Sequence, residues 1–102
     1  MLVSPFDLER TEILARIERI QNSLIETTNL MTEFKTRWVT PALAINSTNP
    51  AHILLLTKIL DQSTRFSMKF WELKAAYTEE VEKTKEVDRR EIIHNQLKKI
   101  QI

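Results

Sequence analysis

Apolar side chains recur at alternating steps of three and four through the first third of the chain. Phe6, Ile13, Ile17, Ile20, Leu24, Met31, Phe34 and Trp38 lie on one such lattice, interrupted only by Arg10 and Thr27. Such steps return to one face of an α-helix, so this is the seam of a long helix built to pack against another. A second lattice runs through Ile53, Leu56, Ile59, Ser63, Phe66, Phe70, Leu73, Tyr77 and Val81. A further stripe of Leu60, Met68, Trp71 and Ala75 widens its apolar face. The opening turns, Ile53 to Leu56 with Ile59 and Leu60, are apolar nearly all round and need enclosure on more than one side.

The punctuation fits two helices. Ser4 can cap the first, Pro5 suits its first position, and Asp7 sits where a carboxylate closes a capping box and meets the positive end of the dipole. Helix 1 is predicted from about residue 5 to 39, because Pro41 disfavours a helical Thr40 and cannot donate a backbone hydrogen bond. A break is expected there, with residues 41–45 forming either a kinked extension or a short turn. Asn46-Ser47-Thr48-Asn49-Pro50 then opens helix 2, with Asn49 as cap and Pro50 at the first position. No later glycine or proline stops helix 2, which is predicted over about 50–100.

Residues 78–91 are dense in mixed charge and read as a solvated helix surface, with Glu79–Lys83 and Glu86–Arg90 in the favourable four-residue order. Apolar residues return at Ile92, Ile93, Leu97, Ile100 and Ile102, so residues 82–102 form a charged helical extension of a single domain. The fold class expected is all-α, a long antiparallel helical hairpin that completes a bundle by oligomerisation. At the standard rise the helices measure roughly 50 and 75 Å, which leaves helix 2 overhanging by about ten residues or more. A two-helix hairpin buries one face of each helix and is marginal at this size, so it calls for partner helices.

Composition removes several function classes. The 102 residues include no glycine, the usual material of phosphate loops and left-handed caps, and no cysteine for disulfides, thiolate metal sites or a thiol nucleophile. The net charge of +1 creates no global field for nucleic acid or anionic lipid. No apolar run approaches a bilayer span, and the Met1-Leu2-Val3-Ser4-Pro5 start has no signal-peptide character. The expectation is an intracellular protein, cytoplasmic or nuclear, without a membrane partner.

Candidate chemistry is sparse. His52 falls in the first turn of helix 2, where the positive dipole end disfavours its charged form, and a structural role is expected. Glu91 and His94 stand three apart on one helix face, as in the paired motifs of di-iron bundles, but Arg89, Arg90 and Lys98 crowd them and helix 1 offers no inward glutamates. The hydroxyls of Thr27, Thr28, Ser63, Thr64 and Ser67 lack a base at a predictable distance. Thr27 and Ser63 fall on the seams, as gap-fillers bonded to helical carbonyls or as a register-setting polar layer. Arg89, Arg90, Lys98 and Lys99 are interleaved with Asp88 and Glu91 and have no aromatic platform, which gives nucleic-acid binding little support. No catalytic residue, cofactor or metal site is expected. Trp38 and Trp71 serve either a core or a partner interface.

Trp38, nine intervening residues and then Thr48-Asn49-Pro50 resemble the middle of the synaptonemal complex central element protein 3 family. That resemblance implies a helical hairpin that self-assembles in the meiotic chromosome axis region, and Trp71 and the charged tail are compatible with it. It transfers no functional residue. Type III secretion needle subunits with their small chaperones, and small subunits of lysosome-biogenesis or kinetochore complexes, look similar because a cap and a proline open any apolar hairpin helix.

The residues thus predict a non-catalytic structural or adaptor subunit that meets protein partners through helix packing, as a homo- or hetero-oligomer. The expected interface comprises Ile13, Ile17, Ile20, Leu24, Met31, Phe34 and Trp38 from helix 1. From helix 2 it takes Leu56, Leu60, Phe66, Met68, Phe70, Trp71 and Tyr77. Two other readings are a small chaperone or regulator that clamps an amphipathic client helix, and a helical metalloprotein built on Glu91 and His94.

Overall fold

The computed structural model describes residues 4–45 and 48–100, all in helices or their short connections. The order is α1 (Pro5–Phe34), a π-helical turn (Lys35–Val39), α2 (Thr40–Ala44) and α3 (Pro50–Ile100). Among the described residues the fold is all-helical, and α3 runs unbroken for 51 residues through the charged stretch. None of these helices is long and apolar enough to cross a membrane.

The starts of the long helices follow their caps. The Phe6 amide donates to the Ser4 hydroxyl at 3.2 Å, and the Ala51 amide donates to the Asn49 side-chain oxygen at 2.9 Å. Each bond satisfies an amide that the first helical turn leaves without an internal partner. The expected capping box is replaced: the Asp7 carboxylate accepts from Arg10 at 2.9 Å. Asn46 and Ser47 of the expected corner lie outside the described residues, as do Met1 to Val3 and Ile102. Replacing Asn49 by alanine should cost about 1 kcal/mol and lower the thermal midpoint by roughly 4–8 °C, read by circular dichroism at fixed concentration.

Helix 1 does not break at Val39. Thr40 keeps right-handed helical angles (φ −60°, ψ −49°) ahead of Pro41, and its amide donates five residues back to the Lys35 carbonyl. An α-helical proline collides with the carbonyl four residues behind it, here that of Arg37, and the wider π turn moves that carbonyl aside. Helical structure then continues to Ala44, and Ile45 leaves it with extended angles. A ladder of threonines leads into the π turn. Thr28, Thr32 and Thr36 donate to the carbonyls of Leu24, Thr28 and Thr32 at 2.8–3.0 Å. Such second donors to helical carbonyls bend a helix.

The chain divides into two compact units, each using part of α1 and part of α3. The first comprises Met1–Gln21 and Ala75–Ile102, and the second Asn22–Lys74. In the first, Ile13 and Val87 are the most buried apolar side chains, at 2% and 1% exposure, and Glu80 is buried with them. Its cross-helix partners run in opposite order: Phe6 with His94, Arg10 with Asp88 and Glu91, Arg16 with Glu80. Two expectations change. The charged stretch is not solvated all round, because Val87 and Glu80 face inward. Nor does α3 overhang by ten residues there, since Phe6 already reaches His94 and only residues 95–100 follow in the helix. In the second unit Thr27, Ala42 and Ile59 are buried, and the Phe34 and Phe66 rings pack at 5.5 Å.

Candidate protein-binding surfaces

Within the first unit, charge is neutralised across the helices. Arg10 occupies a seam position, and its guanidinium reaches Asp88 at 2.8 Å, Asp7 at 2.9 Å and Glu91 at 2.9 Å. Asp88 and Glu91 hold the Arg10 pKa above its ordinary value, so the group is a fixed cation. Arg90 pairs with Glu9 at 2.6 Å, in place of the expected Glu86. Lys83 reaches both Glu79, at 3.7 Å, and Glu80, at 3.1 Å.

Glu80 is the buried member of this set. It accepts from Lys83 at 3.1 Å and from Arg16 at 3.0 Å, and those donors outweigh burial and hold its pKa below the ordinary 4.5. A carboxyl with a depressed folded pKa stabilises the fold above its unfolded value and loses that contribution as the pH falls through the folded one. Thermal midpoints should therefore fall as the pH drops below about 4.5, and Glu80→Gln should flatten this acid limb.

Glu91 is engaged by Arg10, and the His94 ring packs on Phe6 with centroids 5.5 Å apart. Among the described residues no three His, Cys, Asp or Glu side chains group as metal ligands. In the second unit His52 is half-buried, with Nε2 enclosed and without a hydrogen-bond partner among the described residues. It lines a small crevice with Trp38, Pro41, Ala42 and Ile45, a packing position.

The second unit carries two apolar surfaces. One is a groove of about 430 Å³ lined by Met31, Phe34, Val39, Phe66 and Phe70, with Thr28, Thr32, Lys35 and Ser63 among its polar neighbours. The other is the outward stripe of α3, where Leu60, Met68 and Trp71 are 48%, 58% and 65% exposed. Trp71 is held at its root by edge contact with Phe70 and by Lys74, whose Nζ lies 5.2 Å from the indole centroid.

The expected interface residues thus separate into two groups. Ile13 is buried, while Ile17, Ile20, Leu24, Met31, Phe34, Leu56, Phe66, Phe70 and Tyr77 are half-buried. Trp38, Leu60, Met68 and Trp71 are exposed. The sequence reading missed Val87 and Glu80 as inward positions. Their signal was the three-and-four lattice continued past Tyr77 to residues 80, 84, 87 and 91, which one valine among charges makes faint. No family model matches the chain, and neither a curated protein nor a solved structure matches it.

Proposed function

We propose that this chain is a non-catalytic structural or adaptor subunit that assembles through helix–helix packing. The carrying observation is the imbalance between inside and outside. Among the described residues seventeen large hydrophobic side chains are exposed, whereas Ile13, Ala42, Ile59 and Val87 alone form the buried apolar set. Exposed apolar residues on this scale, gathered on helix faces, mark protein-contact surfaces. We take the long helices as an antiparallel hairpin, a reading supported by the opposite order of cross-helix partners in the first unit. Partner helices would then cover the outward stripe of α3 and the Ile93, Leu97 and Ile100 face near its end.

The native mass tests the reading. Sedimentation of the purified chain, and of the complex isolated from its source cells, should give a multiple of the 12.0 kDa chain or a defined complex with other proteins. A monomer at micromolar concentration that also travels alone in cell extract would overturn it. The groove beside Phe34, Phe66 and Phe70 favours a second reading, in which one client helix is held there. Co-purification with a single client at fixed ratio would distinguish that case.

A further inference from the structure

We infer that the outward face of α3 pairs with the same face of a second copy, antiparallel, about a two-fold axis at Thr64. This rests on the assembly reading above and commits it to one occupant for one surface. The face consists of Thr57, Leu60, Thr64, Met68 and Trp71, all exposed. Measured from Thr64, these positions fall at −7, −4, 0, +4 and +7. A stripe symmetric about its own centre meets itself when a second helix is laid against it in the opposite direction.

The chemistry at each level is complementary. Leu60 lies against Met68 of the second copy, and Trp71, the largest side chain, lies over the small Thr57. Thr64 meets Thr64 at the axis, where close approach is needed. A parallel pairing in register would instead set Trp71 on Trp71 and Thr57 on Thr57, bulky on bulky and small on small. The threonines do not obstruct burial. Thr57 and Thr64 donate to the Ile53 and Leu60 carbonyls at 3.0 Å, so their hydroxyl protons stay satisfied and their methyl groups can enter the contact.

The flanking charges agree. At 3.6 residues per turn, Lys58, Asp61, Arg65 and Glu72 all fall along one edge of the stripe. Antiparallel pairing brings this edge against itself. Asp61 of each copy then faces Arg65 of the other, and Glu72 faces Lys58, every pair opposite in sign. Asp61 and Arg65 already pair within the helix at 3.1 Å, so the axis would gather four alternating charges.

The absence of cysteine makes the geometry directly testable in the full chain. Thr64→Cys should cross-link to itself with a short bismaleimide as the main product. Leu60→Cys alone should cross-link poorly, because its two copies lie about 12 Å apart along the axis. Mixed with Met68→Cys carrying a size tag, it should give the hetero-cross-linked species. Asp61→Arg should weaken dimerisation about five- to tenfold, and the swap Asp61→Arg with Arg65→Asp should restore it to within about twofold. A dimer in which Thr64→Cys fails to cross-link, or in which Leu60→Cys self-links as readily, overturns this inference and leaves the assembly reading standing. A chain that is monomeric when pure but bound to other proteins in cells does the same. A chain monomeric in both settings overturns both.

Discussion

Replacing Ile13 by alanine should lower the unfolding free energy by about 2–5 kcal/mol, the range for emptying a buried aliphatic site. Ile13 is 2% exposed, and it and Val87 are the buried apolar side chains among the described residues of the first unit. With so small a core, neighbouring side chains have little freedom to collapse into the space left behind. Chemical denaturation at fixed protein concentration measures the loss. Leu14, one position along and 56% exposed, supplies the control, and Leu14→Ala should change stability by no more than about 0.5 kcal/mol. Equal losses at the two positions would show that the helix does not face inward at Ile13.

Replacing Trp71 by alanine should act on association. Its indole is 65% exposed, so the chain keeps its helical content and its internal packing when the ring is removed. On the proposed assembly the same ring is the largest apolar anchor of the contact, and truncating such anchors costs about 2 kcal/mol or more, roughly thirtyfold in dissociation constant. Sedimentation equilibrium on the variant should show this weakening, while far-ultraviolet circular dichroism below the melting range stays unchanged. An unaltered dissociation constant would remove the outward stripe of α3 from the interface. The two substitutions therefore separate what holds a chain together from what joins chains.

Much of this architecture was legible because helix boundaries and faces depend on local chemistry. Ser4 and Asn49 cap where their side-chain oxygens predicted, and Pro50 opens an uninterrupted α3 because nothing after it breaks a helix. Leu60, Met68 and Trp71 were separable from the inner lattice by phase alone. The π turn was not legible. The rule that proline ends a helix assumes α geometry, and five residues of π helix remove the collision on which the rule depends. Arg10 looked like a flaw in the seam, since its partners Asp88 and Glu91 lie about eighty positions away and only folding brings them together. Val87 was hidden for a related reason. Flanked by Lys85, Glu86, Asp88 and Arg89, it is marked only by a faint continuation of the lattice, and its burial is set by what α1 brings opposite.

The greasy outer edge of α3 also has a bearing on how much of the protein a cell can hold. On the proposed assembly, a copy made in excess of its companions would display Leu60, Met68 and Trp71 to chaperones and proteases, which read such surface as damage. Orphans would then be cleared, and surviving copies would be those already docked. Abundance would follow the scarcest member of the proposed complex, so depleting a companion should shorten this chain's half-life without touching its synthesis.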